Sequence, residues 1–393
     1  MQSGQPSEGQ ATRKGTELTL DNAPTVQAMA DQHDLVSDLV GSQAAAWDLA
    51  RLLPGELLHK LGADGLLCAQ VPPVYGGMGA SSRQNGELTA HVGSLCSSLR
   101  SIMTSHGMAA WTIQRLGDRD QRQHYLQALT SGQLAAVAFS EPEAGSDLSA
   151  MRTQIRAADD GVIIDGQKKW VTGARYADLL LVLGVQAGGA AFAMVPATAP
   201  GVRIQPVADP LGCRAAGHSD ISFDNVKLPA SSVLGGGGQS LPLLFTTALS
   251  YGRISVAWGC LGIVRACLRA ATIHAKHREQ AGKPLAQHQL VGRHLAELVI
   301  AEQVSARVCE HASQCWESMT PDMIMATVLA KHVSAGQAAR SAATAVQVLG
   351  SAGSQDGHVV ARAYRDAKLM EIIEGTNEIC QLLLADHALT RFG

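Results

Sequence analysis

The chain has little charge and few aromatic side chains, and its long uncharged stretch is not expected to span a bilayer. Of its 393 residues, 17% are Asp, Glu, Lys or Arg and 4% are aromatic, with a formal net charge of −3. That balance leaves nucleic-acid binding without electrostatic support, because neutralising phosphates needs a basic excess. Low charge does not mean disorder here, since 46% of residues are hydrophobic and can fill a core. The eight cysteines stand at 68, 96, 213, 260, 267, 309, 315 and 380. They form no CxxC and no metal-site spacing with a histidine pair, so no metal is expected. They read as small, buried, reduced residues, which implies a cytoplasmic protein. No basic patch precedes an apolar run at the N-terminus, so no signal peptide is expected. The uncharged stretch 179–202 is broken by Gly188-Gly189, Pro196 and Pro200. It reads as two buried strands and a turn, not a membrane helix.

The hydrophobic period changes twice along the chain, and no internal repeat is evident. Residues 1–23 are polar and predict a disordered tail. From 24 to 133 apolar positions recur three and four apart, the pattern of buried helices, broken by a loop at VPPVYGGMGASS. From 134 to 238 the chain reads as short strands, with Asp159-Asp160-Gly161 and Asp165-Gly166 as hairpin turns. Gly235 to Gly238 then predict a flexible junction. From 239 to 393 the helical period returns over 241–279, 286–317, 321–350 and 357–373, lengths that suit an antiparallel four-helix bundle. The expected architecture is α+β and multidomain, with a helical N-terminal domain, a middle antiparallel β-barrel or sandwich, and a helical C-terminal bundle.

Four segments carry candidate chemistry. Phe139-Ser140-Glu141-Pro142-Glu143-Ala144-Gly145-Ser146-Asp147 offers hydroxyls and free backbone N–H groups where helix gives way to strand, although it also reads as an ordinary turn. Lys169-Trp170-Val171-Thr172-Gly173 could pack an aromatic ring along a cofactor, or simply end a strand. Arg278 in His277-Arg278-Glu279-Gln280-Ala281-Gly282 is placed for a pyrophosphate or for a helix cap. Glu374, in Ile372-Ile373-Glu374-Gly375-Thr376-Asn377-Glu378, is either a solvated helix-end glutamate or a carboxylate raised toward neutrality by apolar company, as a general base needs.

In order and spacing, AFSEPEAGSDLSAM, HREQAGKPLAQHQ, AVQVLGSAG and YRDAKLMEIIEGTNEI resemble segments of the acyl-CoA dehydrogenase family, and the likeness covers about residues 30–390. It implies FAD as cofactor and a homodimer or homotetramer. Glu374 matches the base that removes the α-proton of an acyl thioester, and its backbone N–H helps to polarise the thioester carbonyl. Phe139 and Ser140 match contacts near the flavin pyrimidine edge, and Trp170 and Thr172 contacts beside the ring. Arg278, Gln280 and Gln289, and separately Gln347, Gly350 and Ser351, match segments that reach FAD from a neighbouring subunit. Thr376 and Glu378 match positions near the adenine pyrophosphate. Ser146 matches a residue on the thioester path, and Arg253 one near the pantetheine or nucleotide. The chain departs from the family at Ala281, where Phe is common, at Glu378, where Gln is frequent, and at Ser250, where Asp often precedes the arginine.

GADGLLCA, LGCRAAGHSD, SYGRISVAWGC and HVVARAYRDAKLMEIIEGTNE resemble the branch that serves hydroxymalonyl and methoxymalonyl extender units in polyketide biosynthesis. That likeness implies a hydroxylated three-carbon acyl group held on acyl carrier protein, with an electron-transfer flavoprotein or oxygen as electron acceptor. The competing expectations are a short-chain acyl-CoA dehydrogenase, a flavin monooxygenase on the same fold, and a catalytically dead interaction protein. Glu374 argues against the monooxygenase, which needs no such base, and competent residue types at every matched position argue against the last.

Overall fold

The computed structural model describes residues 24–392, so the tail expected over 1–23 lies outside the described residues. Six helices build the N-terminal region: α1 Val26–Val40, α2 Ala44–Ala50, α3 Gly55–Ala63, α4 Ser82–Leu95, α5 Ser97–Leu116 and α6 Arg119–Thr130. Local chemistry sets two of the starts. Ser81 with Gln84 and Asp118 with Gln121 form capping boxes that satisfy the first N–H groups of α4 and α6. Helix α5 is buried along nearly its whole length, between the sheet and the C-terminal helices.

The middle region holds seven strands: β1 Ala135–Ala138, β2 Gln154–Ala158, β3 Gly161–Val171, β4 Leu179–Gln186, β5 Gly189–Pro196, β6 Val202–Pro206 and β7 Ser219–Leu228. The sheet is mixed rather than antiparallel, because β1 runs parallel to β4. The intervening 40 residues carry the β2–β3 hairpin and supply the long crossover that parallel pairing needs.

Asp159-Asp160 makes the expected tight turn, but Asp165-Gly166 does not turn. There β3 continues and β7 bulges: from Ile164↔Val226 to Gly166↔Phe223, β3 advances two residues and β7 three. Asn225 takes the left-handed conformation of the bulge at φ 51°, and its N–H donates to Asp165 Oδ1 at 2.7 Å. A Cβ at Gly166 would lie 2.5 Å from the Thr153 hydroxyl, so that glycine serves close packing rather than chain reversal.

Gly235 to Gly238 are not a loose junction either. All four have positive φ, and Gln121 and Gln186 accept from Gly235 and Gly238 at 3.1 and 2.7 Å.

The C-terminal region comprises α7 Leu241–His277, α8 Gln289–Glu317, α9 Met323–Leu349, α10 Val359–Met370 and α11 Asn377–Phe392. Between α7 and α8 a two-residue β8 Glu279–Gln280 pairs with β9 Lys283–Pro284. Helix α7 is apolar and long enough to cross a membrane by length and composition, yet it is the central helix against which α4, α5, α8 and α9 pack. Helix α11 extends the expected bundle and packs on α9. The turn that separates it from α10 carries Glu374.

Candidate active site

The three regions meet around a cavity of about 730 Å³, bounded by α5, the segment after β1, the start of α7 and the α10–α11 turn. Glu374 enters it from a strained reversal, with φ 56° at Glu374 and 88° at Gly375. Two buried cations hold that reversal through its carbonyls: Arg253 Nε donates to Glu374 O at 3.2 Å and Lys331 Nζ to Gly375 O at 2.7 Å. Glu374 Oε2 is buried without a hydrogen-bond partner. Helix α7 makes room for it, since a Cβ at Gly252 would lie 2.2 Å from that oxygen. Burial pushes the carboxyl up to about 7, against the pull of Arg253, Lys331 and Arg100. A carboxylate with that affinity is suited to take a proton near neutral pH.

Helix α5 turns a polar stripe toward the cavity, with Arg100, Ser101, Thr104 and Ser105 at helical spacing. Arg100 is fully buried and makes no ion pair among the described residues. Its guanidinium reaches Thr104 and the Met370 sulfur, and Nε has no partner. Its stem needs Gly259, where a Cβ would lie 2.5 Å from Arg100 Cδ.

The segment after β1 is fastened from below. Buried Lys168 donates to Phe139 O at 2.9 Å and to Glu141 Oε1 at 2.7 Å, and Glu141 also accepts from the N–H groups of Arg152 and Thr153. Burial alone would raise the Glu141 pKa, but these donors outweigh it and hold the carboxyl below its ordinary range. Phe139, Ser140 and Ser146 are thereby presented along one wall. Across the cavity the Thr172 hydroxyl lies 3.2 Å from His218 Nδ1. Burial, and secondarily Arg100, push His218 down to about 4, so that ring is neutral.

Seven of the residues singled out from the sequence therefore line one cavity: Phe139, Ser140, Ser146, Thr172, Arg253, Glu374 and Thr376. Arg253 is buried beside Glu374, bonded to its carbonyl. Trp170 is half-exposed, with its ring against His218 at 5.7 Å, and does not line the cavity. Arg278, Gln280, Gln289, Gln347, Gly350, Ser351 and Glu378 are exposed and also lie outside it. Ala281 is exposed in the β8–β9 turn at φ 50°. Ser250 is buried and returns its hydroxyl to Thr246 O at 2.7 Å. Arg100, Lys331, His218 and Gly252 were not singled out. The one sequence signal was the Gly252–Gly259 pair, seven apart on α7.

The residues present fit a flavin ring. Apolar Met108, Phe139, Leu241 and Phe245 form walls, Ser140 and Thr172 offer hydroxyls for a polar ring edge, and the volume lies in the range of about 300–1,000 Å³ usual for ligand sites. Ser140, Thr172 and Phe139 would hold that ring. Among the described residues no cluster of three or more His, Cys, Asp or Glu is placed to hold a metal ion.

Three family models cover the chain: acyl-CoA dehydrogenase N-terminal domain over residues 26–133, middle domain over 136–226 and C-terminal domain over 243–389. The human mitochondrial short-chain specific acyl-CoA dehydrogenase is 30% identical over 356 residues, 89% of this chain and 86% of that protein. Among solved structures, FkbI, described as acting in biosynthesis of the methoxymalonyl extender unit of the FK520 polyketide, is 60% identical. It superposes with a TM-score of 0.88 and covers 91% of this chain and 99% of its own. Butyryl-CoA dehydrogenase from Megasphaera elsdenii is 27% identical with a TM-score of 0.88, covering 94% of this chain and 99% of its own.

Proposed function

The chain belongs to the acyl-CoA dehydrogenase family, whose members are FAD-dependent oxidoreductases, and from that premise we propose that it oxidises a glyceryl-derived three-carbon acyl group on acyl carrier protein toward hydroxymalonyl. The observation that carries this reading is the polar stripe of α5. The hydroxyls of Ser101, Thr104 and Ser105 already have partners within the chain, but Arg100 Nε has none, so a fatty acyl chain gains nothing from that buried guanidinium whereas an oxygenated acyl group can pair with it. The likeness to FkbI supports the same substrate class.

Bound FAD supplies the acceptor for the hydride that leaves C3. Glu374 Oε2 takes the proton from the C3 hydroxyl, first of the alcohol and then of the hydrated aldehyde, so that each round removes one hydride and one proton. Between rounds the protonated carboxyl returns its proton to water, one water adds to the aldehyde, and the electron acceptor removes the first electron pair so that a second hydride can leave C3. Arg100 faces the oxygens of the acyl group and balances the negative charge that grows as a carboxylate forms. Arg253, held at the carbonyl of Glu374, fixes the base, and the Glu374 N–H remains for the thioester carbonyl.

The exposed set Arg278, Gln280, Gln289, Gln347, Gly350 and Ser351 serves the adenosine end of FAD in a second copy of the chain, in a homodimer or homotetramer. An electron-transfer flavoprotein or oxygen then takes the electrons. Eight free, buried cysteines suit a reducing cytoplasm.

The alternative, desaturation of a short acyl-CoA, is favoured by the human relative and differs in its product. Intact-protein mass spectrometry of carrier protein loaded with the glyceryl group should show a gain of one oxygen and a loss of two hydrogens. Turnover of butyryl-CoA, with carrier-bound glyceryl untouched, would reject the proposal in favour of the alternative.

A further inference from the structure

Lys331 sits in the middle of α9 with no exposure, and no carboxylate lies in ion-pairing reach of it among the described residues. A buried ammonium is costly unless its protons are satisfied. Its donors go to the segment that presents the base: Gly375 O at 2.7 Å, Glu371 O at 3.4 Å and Asn377 Oδ1 at 3.4 Å. Glu371 caps α10 and Asn377 opens α11, so the three acceptors bracket Glu374 on both sides. The bracketed reversal is one that a glutamate rarely adopts, at φ 56°. It persists only where the surroundings over-determine it. Asn377 N–H to Glu371 O at 2.9 Å closes the turn, and Lys331 binds both ends of that closure.

We propose that Lys331 is the positioning residue of the catalytic turn: it locks segment 371–377 so that the Glu374 carboxyl enters the notch at Gly252. The proposal rests on the reading of Glu374 as the base. The ammonium also lies behind a carboxyl that burial alone would hold protonated. The charged and titratable groups around Lys331 are Arg253 and Cys260 from α7, Glu371 and Glu374 from the turn, and Glu378 and Cys380 from α11. Cys260 and Cys380 are held neutral by burial, Arg253 adds like charge, and Glu378 is exposed to solvent. Lys331 thus both shapes the turn and favours its carboxylate form.

The test uses the FAD-loaded full chain as Lys331→Met, Lys331→Gln and Lys331→Arg. The Glu374 carboxyl is titrated by infrared difference spectroscopy on ¹³C-glutamate-labelled protein, assigned by subtracting Glu374→Gln. Lys331→Met should move the midpoint up by about one pH unit, the lower end of the usual effect of a nearby opposite charge. It should lower kcat on the order of 100-fold, as expected for a base displaced by about 1 Å, with KM nearly unchanged. Lys331→Arg should restore most of the midpoint. Should Lys331→Met fail to fold, Lys331→Gln, which keeps donors without the charge, should still show the upward midpoint. A midpoint unmoved in every variant overturns the proposal, even where thermal stability falls. Should Glu374→Gln oxidise substrate like wild type, the base reading fails instead, and the titration still reports whether Lys331 governs the turn.

Discussion

The inner and outer halves of the candidate site are built differently. The inner half is complete within one chain. Its carboxyl, its cations and its hydroxyls come from α5, α7, the β1 exit, the end of β3 and the α10–α11 turn, yet they converge on one cavity. The outer half is six exposed residues at the ends of α7, α8 and α9, none of which reaches that cavity. The inner residues are held by burial and by glycine notches, so they are preorganised. The outer residues have chemistry but no enclosure within one chain, as the proposal that a second copy completes them requires. The difference suggests that chemistry and cofactor retention are separable by mutation.

Glu374→Gln is the sharpest way to break the inner half while sparing the outer. The amide fills the same volume and accepts no proton, so oxidation should fall at least about 10³-fold while the purified protein stays yellow. Gly252→Ala should cost on the order of 100-fold, because its Cβ would fall 2.2 Å from Glu374 Oε2 and displace the base, again with flavin retained. Arg278→Ala should do the reverse. Losing one charge-assisted contact weakens FAD binding roughly tenfold or more and loosens the assembly, while the rate per bound flavin holds. Flavin content against mass by light scattering checks this, and a per-flavin rate that collapses would erase the distinction between the halves.

The smallest effect is on stability. The Glu374 carboxyl ionises near its ordinary 4.5 when unfolded and near 7 when folded, so folding takes up a proton between those values. Wild type should therefore lose stability relative to Glu374→Gln as pH rises from about 4.5 to 7 and keep a constant gap above. Thermal melts across pH read this gap directly. Turnover runs the other way, rising through about pH 7 as the base deprotonates.

Much of this was legible in the sequence because it is local. Hydrophobic period separated the helical, β and helical regions, and the ordered segments around Ser140 and Glu374 marked the inner half. What was not legible depends on partners distant in the chain. Asp165-Gly166 reads as a turn to its neighbours, but β7 pairs on both sides of it and moves the irregularity to Asn225. The parallel pairing of β1 with β4 is invisible to a two-residue period. Arg100 and Lys331 sit in helices whose pattern says only that they are buried or exposed. Their significance comes from α7 and the α10–α11 turn, 40 or more residues away. Gly235 to Gly238 show the converse, since a run that is permissive in isolation is pinned by two glutamines from elsewhere.

In the proposed reaction Glu374 removes a proton in the same event that sends the hydride to the cofactor. Anaerobic mixing of wild type and Glu374→Gln with carrier-bound glyceryl substrate, followed by flavin absorbance, tests it most directly. Wild type should bleach rapidly and the equally yellow variant essentially not at all; bleaching of both at the same rate would remove Glu374 from the role of base.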